Sequence, residues 1–130
     1  MTVLSKIQEI LAELNAKLTD GTRKRKKKQA DVCKGIIERD YSKKIGVPKI
    51  AEEMRISSSY LSTIFKSETG YSINEYLTAY RLQLAKKLLR DTDLKMYEIA
   101  ERIGIPDMYY FSSVFKKNIG VSPSEYRNNR

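Results

Sequence analysis

The chain has 130 residues, of which 25 are lysine or arginine and 16 are acidic, for a net charge of +9. One cysteine and no histidine remove disulfide frameworks, thiolate or imidazole zinc sites and every His-based catalytic triad. No apolar run approaches the roughly 18 residues that a membrane span needs, and Met1-Thr2-Val3 opens no leader sequence, so a soluble cytoplasmic protein without a membrane partner is expected.

Residues 3–18 place Leu4, Ile7, Leu11, Leu14 and Leu18 at steps of 3, 4, 3 and 4, a heptad seam just over two heptads long. This pattern predicts an amphipathic helix whose stripe is covered by its own domain, by a second copy of the chain, or by an upstream signalling domain. Thr19-Asp20-Gly21-Thr22 predicts a linker, so residues 1–22 read as a separate helix and linker. Arg23–Lys28 are six consecutive cations, whereas residues 29–130 carry 17 basic and 13 acidic side chains, so most of the charge excess lies in one short run. That run is either a solvated segment or a phosphate contact. A helix over about 29–39 follows, with Val32, Cys33, Ile36 and Ile37 inward and Cys33 read as a buried apolar thiol.

From residue 47 the signals are sharper. Val47-Pro48 opens a short helix with Ile50, Ala51 and Met54 buried, and Arg55-Ile56 turns the chain. Ser57 is the expected N-cap of a helix reaching about Thr69, with Leu61, Ile64 and Phe65 inward and Gly70 as its C-cap. Ser72-Ile73-Asn74-Glu75 forms a capping box that opens the longest helix of this region, about Ile73 to Arg90. Met96, Ile99, Ala100 and Ile103 form the next short helix, stopped by Gly104. Asp107 then caps a helix with Phe111, Val114 and Phe115 inward that ends at Gly120, and Ser122-Pro123-Ser124-Glu125 opens the last. No segment alternates with period two, so the chain reads as all-α.

Two stretches of this chain are copies of one pattern. Ile50-Ala51, Tyr60-Leu61, Phe65-Lys66, Gly70, Ser72 and Glu75-Tyr76 return as Ile99-Ala100, Tyr110-Phe111, Phe115-Lys116, Gly120, Ser122 and Glu125-Tyr126. The offset is 49 for the first pair and 50 thereafter, so the second copy has gained a residue before its tyrosine. Each copy is two short helices split by a turn, the pattern of a helix-turn-helix. The domain organisation expected is lobe one over about 29–71, a connecting helix over about 73–90 and lobe two over about 93–130. The connecting helix spans about 27 Å at 1.5 Å per residue, close to the roughly 34 Å between successive major-groove faces of a duplex. Catalysis would have to rest on pairs such as Glu52-Glu53 or Asp91 with Asp93, which fall on exposed helix faces and ends, so no enzyme is expected.

Residues 45–127 resemble the DNA-binding domain of the AraC/XylS family of bacterial transcription regulators. The likeness is carried by Ile99-Ala100-Glu101-Arg102-Ile103-Gly104, Tyr110–Lys117 and Gly120–Arg127 in the second copy. In the first it is carried by Ile50-Ala51, Tyr60-Leu61-Ser62, Phe65-Lys66, Gly70, Tyr76-Leu77 and Arg81-Leu82. The resemblance implies seven helices in two helix-turn-helix lobes around a connecting helix, acting on promoter DNA without metal or cofactor, with RNA polymerase as a further partner. It implies that Ser58, Ser59, Ser62 and Thr63 read DNA from lobe one and Asp107, Met108, Tyr109, Ser112 and Ser113 from lobe two, with Lys66, Lys116 and Lys117 on phosphates. The chain departs from the family at Arg55, where a turn glycine is common, and at Ile105-Pro106, where a Phe and a polar residue are usual. Its reading positions hold no Arg, Lys, Gln or Asn, so discrimination leans on hydroxyls, thymine methyls and DNA shape. A protein-interaction adaptor that keeps the fold without base readout is the alternative, and the chain is either a short stand-alone regulator or the C-terminal part of a longer one.

Overall fold

The computed structural model describes residues 3–130 as seven helices: α1 (Val3–Asp40), α2 (Val47–Met54), α3 (Ser58–Thr69), α4 (Ile73–Asp91), α5 (Met96–Arg102), α6 (Met108–Ile119) and α7 (Pro123–Asn128). No strand occurs among the described residues. The helix ends follow from the local chemistry. The Ser57, Ser72 and Ser122 hydroxyls accept from the N–H groups of Tyr60, Glu75 and Glu125 at 3.0 to 3.1 Å, satisfying donors that the first helical turn leaves unpaired. Gly70 and Gly120 close α3 and α6 in the left-handed region, at φ +83° and +97°.

Two cores form, and α4 belongs to both. Its first half gives Ile73 and Leu77 to a cluster with Ala30, Cys33 and Ile37 of α1, Ile50 and Ala51 of α2, and Leu61, Ile64 and Phe65 of α3. Its second half gives Leu82, Ala85 and Leu89 to a cluster with Ile99, Ala100, Phe111 and Phe115. Ala30, Cys33 and Ile37 thus recur as Leu82, Ala85 and Leu89, each 52 residues later. In packing terms α4 is the last helix of lobe one and the first helix of lobe two. Burial among these side chains pushes the Cys33 thiol up to about 11, as expected for an inert core cysteine.

Each lobe fastens its leading loop with an arginine from the helix that follows. The Arg81 guanidinium donates to the carbonyls of Tyr41 (2.9 Å) and Lys43 (3.0 Å), between α1 and α2. Arg127 donates to the carbonyl of Leu89 (3.1 Å) in the last turn of α4 and to those of Thr92 (3.1 Å) and Leu94 (2.6 Å) between α4 and α5, and Arg130 adds a bond to Asp93 at 2.7 Å. On the other side of lobe one, Arg39 of α1 bridges Asp40 and Glu53 of α2, both at 2.7 Å, and its hydrogen bond holds the Asp40 carboxyl down at about 2.

The N-terminal third differs from the sequence expectation. The predicted linker at Thr19–Thr22 and the separate helix over 29–39 are one continuous helix with residues 3–18. Gly21 alone costs a helix only about 1 kcal/mol relative to alanine, and nothing nearby is a proline. The Thr22 hydroxyl folds back onto the Leu18 carbonyl at 3.0 Å, and Asp20 pairs with Lys24 one turn on at 3.1 Å. Leu4, Ile7, Leu11, Leu14 and Leu18 are all exposed, so the stripe does not dock on its own domain. Val32 also faces out, because the lobe takes α1 through Ala30, Cys33 and Ile37 and Val32 lies off that row.

The two helix-turn-helix turns are equivalent in backbone but not in residue. After α2, Arg55 sits at φ 59°, Arg55 N–H donates to Glu52 and Ile56 N–H to Ala51, both at 3.1 Å. After α5, Gly104 sits at φ 87°, with Gly104 N–H on Glu101 (3.3 Å) and Ile105 N–H on Ala100 (3.0 Å). Arg55 is exposed, whereas a Cβ on Gly104 would collide with the Tyr41 carbonyl and crowd the Arg81 guanidinium. Relief of the left-handed Cβ penalty therefore makes Arg55→Gly more stable by about 1 kcal/mol, while Gly104→Ala combines that penalty with the clash and costs about 2 kcal/mol or more. Urea denaturation checks both, and a Gly104→Ala protein as stable as its parent contradicts the described turn.

Candidate nucleic-acid interface

Each helix-turn-helix buries one side of its second helix and leaves the other to solvent. In α3, Leu61, Ile64 and Phe65 face the core, so helical periodicity turns Ser58, Ser59, Ser62, Thr63 and Lys66 outward, and all five are exposed. The surface they make is polar and small-featured. Thr63 donates its hydroxyl proton to the Ser59 carbonyl at 2.9 Å, which leaves its oxygen facing out as an acceptor. Beside this face, the Tyr60 hydroxyl donates to Gln29 of α1 at 3.1 Å, tying the first turn of α3 to α1.

The corresponding face of α6 is bulkier. Phe111 and Phe115 point inward, and Tyr109, Ser113 and Lys116 lie on the exposed side, with Tyr109 at 81% exposure. Met108 and Ser112 are half-buried at the margin of that side. Asp107 is exposed, but its Oδ1 accepts from the N–H groups of Tyr109 (3.0 Å) and Tyr110 (3.1 Å), so the carboxylate is held across the helix N-terminus. Lys117 stands apart from the others. With Tyr110, Val114 and Asn118 it lines a groove facing Asn74, Thr78 and Ala79 of α4, between the lobes and off the side that carries Tyr109 and Lys116.

The extra residue of the second copy is now located. Ile56 and Ile105 match at the turn and Ser57 and Asp107 match as N-caps, so Pro106 is the insertion. Ile105 is buried in the lobe-two core, which explains an apolar residue there. Gln29, Arg81, Arg127 and Arg130 hold positions that the sequence does not reveal. Their partners are carbonyls, a tyrosine and the Asp93 carboxylate, 31 to 41 residues away, which no local pattern signals. Both faces are carried on a scaffold whose linking helix has 19 residues, about 28 Å of rise. Among the described residues, no group of three or more acidic or cysteine side chains could hold a metal ion.

A family model described as a helix-turn-helix domain matches residues 50–129. The HTH-type transcriptional regulator YijO of Escherichia coli (strain K12) is 38% identical over 97 residues, 75% of this chain and 34% of that protein. The C-terminal domain of AraT, a response regulator from Geobacillus stearothermophilus, has the same fold at a TM-score of 0.77 and 38% identity, covering 78% of this chain and 85% of that one. The DNA-binding domain of AdpA, a global transcriptional factor solved in complex with a target DNA, aligns at a TM-score of 0.71 and 26% identity, covering 78% and 90%. The chain spans only 12% to 35% of the length of the curated relatives it matches.

The capping geometry gives Asp107 a structural role that substitution separates from any contact it makes. Asp107→Ala lowers stability by about 1 kcal/mol, while Asp107→Asn, which caps about equally well, leaves it within a few tenths. Thermal and urea unfolding read the difference, and equal losses in both variants rule the cap out as the cause.

Proposed function

The chain belongs to the AraC/XylS-type helix-turn-helix family, and from that premise we propose a sequence-specific, DNA-binding transcription regulator whose α3 and α6 enter successive major-groove segments of one promoter duplex. The observation that carries this reading is the pair of exposed second helices held by one rigid helix whose length is near the pitch of DNA. A second helix of this motif meets base edges with the outward residues of its first turns, and the helix before it crosses the backbone. On lobe one Ser58, Ser59, Ser62 and Thr63 approach the bases. On lobe two Met108, Tyr109, Ser112 and Ser113 do so, with Asp107 holding the helix end. Lys66 and Lys116 reach phosphates, and Lys117, placed in the inter-lobe groove, reaches a phosphate between the two read segments. RNA polymerase is the partner of the bound complex.

Hydroxyls accept and donate toward several bases, so no single contact discriminates as a bidentate arginine on guanine does. Specificity then comes from the sum of small contacts, the Tyr109 ring and the deformability of the site.

Along α1 the labour is divided: residues up to 22 assemble, 23–28 form the basic run, and 29–130 are the bipartite domain. The exposed leucine seam is covered by a second copy of the chain, because strict 3-4 spacing is what two supercoiled helices share. A seam of this length is weak alone and is reinforced when two copies occupy adjacent sites on DNA.

Hydroxyl-radical footprinting on genomic fragments tests the central reading: two protected patches about 10.5 base pairs apart on one face. Tyr109→Ala weakens binding roughly tenfold or more and thins the second patch first. Binding that prefers no fragment over random duplex at moderate salt refutes the proposal. Sedimentation tests the seam. The parent associates at micromolar concentrations and Ile7→Lys/Leu14→Lys is monomeric, while a parent that stays monomeric at high micromolar concentration, alone and on DNA, excludes it.

A further inference from the structure

The cationic run Arg23–Lys28 is the strongest charged feature that the two recognition helices leave without a use. It lies within α1, directly before Gln29, which accepts the 3.1 Å hydrogen bond from Tyr60 in the first turn of α3. Arg23 and Lys26 line a shallow groove whose other wall is Ser67 and Glu68, at the far end of α3. The run therefore passes along one flank of α3, beside the side that carries Ser59, Thr63 and Lys66.

Two further observations separate it from an ordinary solvated segment. Helical spacing sets Arg23 beside Lys26 and Lys27, Lys24 beside Lys27 and Lys28, and Arg25 beside Lys28, all like-charge neighbours that oppose the helix. Among the described residues only Lys24 of the six makes an ion pair, with Asp20 at 3.1 Å. Asp20 also lies one turn from Arg23, Asp31 one turn from Lys27 and Lys28, and Glu68 lines the groove of Arg23 and Lys26, so three acidic groups stand against six cations. Nor does the fold require cations there. With the offset of 52 that relates the first helices of the two lobes, the equivalent of Arg23–Lys28 in α4 is Glu75–Tyr80, which contains none. Lobe one carries a self-repelling charge cluster that its own repeat does without.

Resting on the DNA-binding reading above, we infer that Arg23–Lys28 is a third duplex contact, a phosphate clamp that grips the backbone on the outer flank of the segment read by α3. Charge matching identifies the occupant. Each strand of duplex DNA carries one negative charge per roughly 3.4 Å of axis, so the run, about 8 Å long at 1.5 Å per residue, meets about two or three phosphates of the strand it passes. Six cations placed around a helix present about half of them to one side, so two or three phosphates are neutralised and their counterions released. Phosphates look alike at every base pair, so the clamp adds affinity without adding preference.

The test uses the full chain and a variant in which all six cations become glutamine (R23Q/K24Q/R25Q/K26Q/K27Q/K28Q), a residue that keeps helix propensity. A second variant, K6Q/K17Q, removes charge from the same helix outside the run. Binding to the preferred fragment and to random duplex is measured over a series of salt concentrations, with helix content followed by circular dichroism. The six-fold variant binds both DNAs about tenfold or more weakly at moderate salt and keeps its preference. Its salt slope is shallower by about two, and K6Q/K17Q keeps the parental slope. Ethylation interference loses only phosphates beyond the lobe-one patch. An unchanged slope, an equal change in K6Q/K17Q, or loss of preference with helix content intact overturns the clamp. If the parent itself prefers no fragment, the functional reading falls, while the slope difference on random duplex still decides the clamp.

Discussion

The sharing of α4 between two hydrophobic cores governs the rest of this molecule. A lobe of three short helices buries little apolar surface alone, and small domains are marginal for that reason. Here Ile73 and Leu77 close one core and Leu82, Ala85 and Leu89 close the other on a single uninterrupted helix. Neither lobe can rotate about the link without breaking its own packing. The spacing and relative orientation of the two exposed helices follow from helix geometry, and Arg81 and Arg127 fix the loops that lead into each pair.

Much of this was legible in the sequence because the deciding signals are local. Ser57, Ser72, Asp107 and Ser122 mark helix starts by side-chain chemistry that acts within three residues, and Gly70, Gly104 and Gly120 mark positive φ. The buried rows of α3 and α6 repeat with helical period and appear twice, which makes each copy a check on the other. The outward rows, and with them the candidate reading residues, follow as complements. Lys117 shows the limit of that inference, since one helical step beyond Lys116 carries it from the outer side into the inter-lobe groove.

What the sequence misled on, or left silent, depends on distance or on competition. Thr19–Thr22 have the composition of a loop, yet an i, i+4 ion pair and a hydroxyl on Leu18 hold them in the helix that continues on both sides. Val32 is apolar and exposed while Ala30 is small and buried, because lobe one selects a row of α1 and not its most hydrophobic residues. The clash that reserves position 104 for glycine comes from the Tyr41 carbonyl, 63 residues earlier in the chain. No propensity or pattern carries that contact.

The single inserted residue, Pro106, has a reach beyond its own turn. It lengthens the turn of lobe two alone, and substitution adds to the inequality, since Ser58 and Ser59 of one face are answered by Met108 and Tyr109 on the other. Because α4 joins them head to tail, the molecule has no twofold axis and its two ends are chemically distinct. On the proposed function, a duplex held by both lobes is a vector: reversing the site end for end presents each lobe with the wrong half. The long α1 leaves from lobe one alone, so under that proposal the sense of a bound site sets the direction in which the arm points along the duplex.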